Sequence, residues 1–169
     1  VLSGVDTTTS MPVISTGCEG EMVQHTCAPG LLAVGIEGTA SLSIEELWLK
    51  CRLLEGDGSL GGDTVTQAVG QNLGGNPFGP NECPNGEMMV GSDTNADPLL
   101  YGLRPNCMDH EKILEGQSGY TTQGAYAGTN LGIDIGQPCP AGYVVTGLQA
   151  PDTAELCGLQ WICTKLEKE

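Results

Sequence analysis

The amino-acid sequence predicts an all-β protein of one domain, with three antiparallel sheets standing as the walls of a triangular prism. Cysteine spacing is the first reason. Cys27 and Cys51, Cys83 and Cys107, and Cys139 and Cys163 are each 24 residues apart, and successive pairs begin 56 residues apart. A period of that length marks an internal repeat, here 1–56, 57–112 and 113–169, which uses the whole 169-residue chain. The second reason is composition: short β-forming runs are separated by segments rich in the chain's 26 Gly and 10 Pro, which favours strands and turns over helices. Alternation along the runs is the third, because it gives each sheet one apolar face to turn inward.

Each repeat opens in the same way. CAPGLLAVGIEG from Cys27, CPNGEMMVGSDT from Cys83 and CPAGYVVTGLQA from Cys139 share Gly30, Gly86 and Gly142, and then Gly35, Gly91 and Gly147. A second apolar run follows each of them: EELWLKC from Glu45, LLYGLRPNC from Leu99 and LCGLQWIC from Leu156. A Cys at the mouth of one strand and a Cys at the end of the next become neighbours when the two form an antiparallel hairpin, so pairing within repeats is expected. Cys18 and Cys157 remain. A bond between them ties the first repeat to the third and closes the sheets into a ring, where an open solenoid keeps its ends apart.

Counting back by twos from each closing Cys gives Leu49 and Leu47, Pro105 and Leu103, Trp161 and Leu159 on the core face. The intervening residues are Lys50 and Trp48, Asn106 and Arg104, Ile162 and Gln160, which fall on the outer, wet face. Connectors between hairpins also echo one another, with TTTSMPV from Thr7, TVTQAVG from Thr64 and YTTQGAY from Tyr120.

Charge narrows the function. With 21 acidic and 6 basic residues the formal net charge is −15, which repels phosphate backbones and excludes a basic nucleic-acid groove. Eight evenly paired cysteines indicate disulfides of an oxidising compartment, hence a secreted, extracellular protein. Zinc does not fit, because no C-x₂₋₄-C pair occurs and His25 and His110 hold no repeated position. No apolar run is long enough to insert in a bilayer. The N-terminus lacks the basic flank and apolar core of a signal, so Val1 reads as a mature start.

The pattern CPxGxxxxG followed by a loop and GLxxxC, three times at about 56 residues with four disulfides, resembles the vitelline membrane outer layer protein I family. That resemblance implies the β-prism I fold, three four-stranded Greek-key sheets about a pseudo-threefold axis, an architecture shared with jacalin-type lectins. The GGNPF run from Gly74 is similar to the Gly-Gly strand of those lectins.

Candidate chemistry is sparse. Acidic residues are expected in the loops between paired strands: Glu37 and Glu45, Asp93 and Asp97, Asp152 and Glu155. Asp93, Asn95 and Asp97 alternate like the opening of a Ca²⁺ loop, but Pro98 and Arg104 replace the Gly and Glu that an EF-hand needs. The expected cofactor is therefore none, beyond weak Ca²⁺ held by Asp93, Asn95, Asp97, Asp152 and Glu155. Trp48, Arg104 and Gln160 share one outward repeat position and are the ligand-binding candidates, with Trp48 and the first repeat's face expected to dominate. No catalytic residue is assigned, since G-x-S-x-G and H-E-x-x-H are missing, no unpaired Cys faces a His and both histidines are isolated. The expected role is a structural or interaction module of an extracellular coat or matrix. A carbohydrate-binding lectin is the first alternative and a glycan-chain transferase or hydrolase the second. Partners are then extracellular glycans, matrix or coat proteins, or further copies of the chain.

Overall fold

A computed structural model describes residues 1–15 and 17–168. Its strands are β1 (Leu2–Thr9), β2 (Val13–Ile14), β3 (Met22–Thr26), β4 (Leu31–Ala40), β5 (Ile44–Leu54), β6 (Leu60–Val65), β7 (Val69–Gly70) and β8 (Asn76–Glu82). They continue with β9 (Met88–Ala96), β10 (Leu100–Met108), β11 (Thr122–Gln123), β12 (Ala127–Gly128), β13 (Ile133–Pro138), β14 (Tyr143–Pro151) and β15 (Gly158–Leu166). One short helix, α1 (His110–Leu114), follows β10 and is capped by Asp109, whose carboxylate accepts from the Lys112 N–H at 3.0 Å.

The apolar runs of each repeat pair as the hairpins β4/β5, β9/β10 and β14/β15. Around the first lie β6 and β7 on one side and β8 on the other, in the order β6-β5-β4-β8, with β7 also on β5. That is a Greek key whose edge position is shared by two short strands. The second sheet repeats it as β11-β10-β9-β13, with β12 on β10. The third sheet draws on both ends of the chain, in the order β1-β15-β14-β3, with β2 on β15. Backbone pairing of the N-terminal strands with the last hairpin therefore closes the ring, and each sheet is offset from the sequence repeat that supplies its hairpin. The echoing connectors are the split edge strands. Thr8, Thr64 and Thr122 sit opposite Cys163, Cys51 and Cys107, which gives the third connector two extra residues.

The split has a local cause. Ser10 and Thr66 donate their backbone N–H to Trp161 O and Leu49 O, and their hydroxyls accept from the Trp161 and Leu49 N–H groups at 2.9 and 3.1 Å. A side-chain oxygen thus takes the place of a ladder carbonyl, and the edge strand breaks. Pro105 stands at the third such position with no N–H to give. Its partner there is Gly124, which has no hydroxyl, and whose Cβ would lie 2.5 Å from the proline ring.

The repeated glycines serve two purposes. Gly30, Gly86 and Gly142 turn the chain into each hairpin at φ of +82°, +69° and +88°, a region costly for residues with a Cβ. At Gly35, Gly91 and Gly147 the problem is contact with the neighbouring strand, where a Cβ would come within 2.6 Å of Asn81 O, 2.5 Å of Gln137 O and 2.9 Å of His25 O.

The core faces are as the alternation predicts: Leu47, Leu49, Leu103, Leu159, Trp161 and the closing cysteines are buried together. Ile44, Leu100 and Leu156, equivalent in the three repeats, are fully buried near the hairpin turns. Leu32, Met88 and Val144 belong to a second cluster at the disulfide end, covered by Ile113 of α1 and by Leu166. A buried polar chain adds specificity. Trp161 Nε1 donates to Ser92 Oγ (2.7 Å), Ser92 meets Thr94, Thr94 donates to Gln137 Oε1 (2.6 Å), and Gln137 Nε2 donates to Leu159 O (2.9 Å). Each of these groups has a partner, the condition under which a buried network holds one arrangement, here the second sheet against the third.

Disulfides join Cys27 to Cys51, Cys83 to Cys107 and Cys139 to Cys163, at Cα separations of 5.8, 5.6 and 5.8 Å. Cys18 is bonded to Cys157. That last bond lies within the third sheet's set of strands, between the segment joining β2 to β3 and the residue before β15.

Candidate functional site

Trp48, Arg104 and Gln160 all lie half-buried on the outer faces, each opposite a residue of the neighbouring strand: Glu37, Asp93 and Gln149. Their side chains do different work. The Arg104 guanidinium donates twice to Gly124 O, at 3.1 and 2.9 Å, and Gln160 Nε2 donates to Ser10 O at 2.7 Å. Ser10 and Gly124 are the equivalent edge-strand breaks, so both side chains cap a carbonyl released from the ladder. Trp48 instead donates its indole N–H to Glu37 Oε2 at 2.7 Å.

The acidic residues expected in parallel loops are placed differently. Glu37 lies within β4, Glu45 within β5 and Asp93 within β9, because the hairpin turns are shorter than the polar stretches in the sequence. Only Asp97, Asp152 and Glu155 lie in turns between paired strands. Glu45 is a buried anchor, accepting from the Leu73 and Gly75 N–H groups at 3.0 and 2.9 Å. Burial pushes its carboxyl up, but those N–H groups and the Ser41 hydroxyl outweigh this and hold it below the usual range. The glycines of GGNPF permit the approach: Gly74 has φ +95°, and a Cβ on Gly75 would lie 2.8 Å from Glu45 Oε1.

The alternating Asp93, Asn95 and Asp97 do not share one loop: the first two lie in β9 and the third in the turn after it. Asn95 is buried, donates to Asp134 Oδ1 (2.8 Å) and accepts from the Gly132 N–H (2.8 Å). Asp93 accepts from Asn106 Nδ2 (3.1 Å) and Gln123 Nε2 (2.7 Å), while Asp97 occupies the turn at φ +88°. Among the described residues, no group of three or more His, Cys, Asp or Glu is arranged to hold a metal ion.

The three outer faces differ in shape as well as chemistry. On the first, which also carries Trp48, Lys50 pairs with Glu82 and, at 3.4 Å, with Asp63. The hydrogen bond from the Lys50 ammonium to Glu82 raises its pKa above the ordinary lysine range. The third face holds a groove of about 510 Å³ lined by Thr7, Thr26, Thr146, Thr164 and Ile162 among others. On the second, Asp93 and Asn106 line a pocket of about 230 Å³ beneath Tyr120. Tyr120 and Gly136, which line this pocket, and Gln123, bonded to Asp93 and Asn106, are residues that alternation alone does not single out.

No family model matches the sequence, and no curated protein matches it. Solved structures match along its length. Frutapin, a lectin from Artocarpus incisa, aligns at 14% identity and a TM-score of 0.64, covering 97% of this chain and 100% of that one. The fold is the β-prism I of the jacalin-like lectins. A mannose-binding lectin from Champedak aligns at 14% identity and a TM-score of 0.62, covering 97% of this chain and 100% of its own. Single-chain recombinant jacalin aligns at 13% and 0.63, with 97% and 98% covered. At these identities the likeness is one of fold, and the four disulfides and the three diverged faces of this β-prism are read from its own residues.

Proposed function

We propose that this chain is an extracellular interaction module that acts by binding carbohydrate. One observation carries the reading: lectins align with the β-prism over nearly its whole length. The outer faces support it with features that suit sugars. Neutral hydroxyl and amide groups lie beside apolar surface on two faces, and a half-exposed indole lies on the remaining one. Four disulfides support an extracellular setting, since such bonds persist in oxidising compartments. A coat or matrix, the setting that the cysteine pattern's resemblance to the vitelline membrane outer layer protein I family implies, supplies glycans at high density. Weak single contacts then add to useful avidity.

A glycan array probed with the intact, oxidised protein tests this. Saturable binding to a structurally related set of glycans, competed by the free sugar, is the expected result. Absence of glycan binding together with binding to deglycosylated coat protein would return the module to a purely structural role.

A further inference from the structure

We propose that the outer face of the second sheet carries a subsite for a single pyranose ring, formed by Asp93, Asn106 and Tyr120; the proposal rests on the carbohydrate-binding reading above. It moves the ligand from the first repeat's face, which the sequence favours through Trp48, to a small pocket on the second.

Two of the residues lining the pocket, Asp93 and Asn106, form a closed polar triad with Gln123. Asn106 Nδ2 and Gln123 Nε2 donate to the two oxygens of Asp93, and Gln123 Nε2 also donates to Asn106 Oδ1 at 2.8 Å. These bonds hold the carboxylate rigid and leave each of its oxygens a lone pair, and Asn106 an N–H, for a ligand. A carboxylate beside an amide, with spare acceptors and a spare donor, matches adjacent hydroxyls of a sugar. The walls are apolar: the Tyr120 ring, Val90 and Pro138. They suit the C–H face of the same ring. An anion is disfavoured by Asp93 and by the chain's net charge of −15. At about 230 Å³ the pocket is smaller than the ~300–1,000 Å³ of drug-sized sites, which fits one ring.

Tyr120 is 45% exposed, yet the chain behind it is fixed. Buried Glu87 accepts from the hydroxyls of Thr121 (2.9 Å) and Thr122 (2.7 Å), and the Thr121 N–H donates to Cys107 O (2.9 Å). An exposed aromatic whose next two residues are anchored to a buried carboxylate is preorganised for contact. Opposite it, Gly136 faces Asp93 across the ladder, and a Cβ there would meet nothing within 4 Å, so the room it leaves is open to a ligand. The equivalent positions on the first face hold Lys50 and Glu82, and Ile162 stands for Asn106 on the third.

The test is a ¹H–¹⁵N titration of the intact protein with methyl α-mannopyranoside, methyl β-galactopyranoside and methyl N-acetyl-β-glucosaminide. At least one should shift the Gly136 amide and the Asn106 and Gln123 side-chain amides, with a dissociation constant of about 1–10 mM. Tyr120→Ala should weaken it about tenfold. Gly136→Leu should abolish it, with a melting temperature within about 2 °C of wild type. Saturable shifts centred elsewhere, or binding retained in Gly136→Leu, overturn the subsite while leaving carbohydrate binding intact. No shift with any of the three sugars while the glycan array is positive also overturns it. A negative array overturns the subsite and the function together. If Gly136→Leu does not fold, Tyr120→Ala decides, because its exposed ring can be removed without opening the core.

Discussion

Gly30→Ala and Gly35→Ala are the same substitution five residues apart, and the structure assigns them different costs for different reasons. At position 30 the backbone sits at φ +82° with nothing within 4 Å of an added Cβ, so the penalty is conformational, about 1–2 kcal/mol. At position 35 the added carbon would lie 2.6 Å from Asn81 O and 2.9 Å from Glu82 Cα, both backbone atoms that yield only if β8 moves away from β4. Overpacking of that kind costs about 2–3 kcal/mol or more. Asparagine separates the mechanisms, because it tolerates the left-handed region and so should recover part of the loss at position 30 but none at position 35. Urea unfolding with the disulfides intact reads both, and for a chain of this size each kcal/mol lowers the melting temperature by roughly 2–4 °C. Equal losses at the two positions, or rescue by Asn at position 35, would refute the two-purpose account of the repeated glycines.

Three further outcomes follow from the same contacts. Trp161→Phe removes the indole donor to Ser92 and part of a fully buried ring, and should lower stability by about 2–3 kcal/mol in the same assay. Glu45 has a depressed folded-state pKa, so its contribution is present above the unfolded value and is lost as pH falls through the folded one. Melting temperature against pH should therefore fall less steeply for Glu45→Gln than for wild type between about pH 5 and pH 3. Replacing both Cys18 and Cys157 by Ser removes a constraint spanning 139 residues. By the chain-entropy estimate it should cost up to roughly 4–5 kcal/mol. Hydrogen exchange should then show β1, β2 and β3 losing protection first, with the first and second sheets unchanged.

Much of the fold was legible because the repeat is carried by residues with strict geometric demands. Paired cysteines, two glycines per hairpin and an alternating apolar face fix hairpin, pairing and inward side. The edge strands were harder to see. Their connectors pair through backbone, and only a hydroxyl at Ser10 or Thr66, or the Pro105 and Gly124 combination, marks where they break. Ring closure by β1 to β3 left no apolar signal, since β1 reads LSGVDTTT and is mostly exposed. The outer-face position of Trp48, Arg104 and Gln160 could be counted from the cysteines. What their side chains do could not, because Arg104 and Gln160 reach carbonyls on a connector whose register the sequence does not state. Tyr120 was hidden for the same reason. It lies in the connector that is two residues longer than its counterparts, and only the folded chain brings it over Asp93.

The most direct measurement of the central claim is binding of the intact protein to extracellular coat material before and after mild periodate oxidation, which cleaves the vicinal diols of sugars and leaves most of the protein surface in place. A carbohydrate-binding β-prism predicts that binding falls to background after oxidation and is competed beforehand by free sugar. Undiminished binding to the oxidised material would contradict the account and assign the contact to protein surfaces instead.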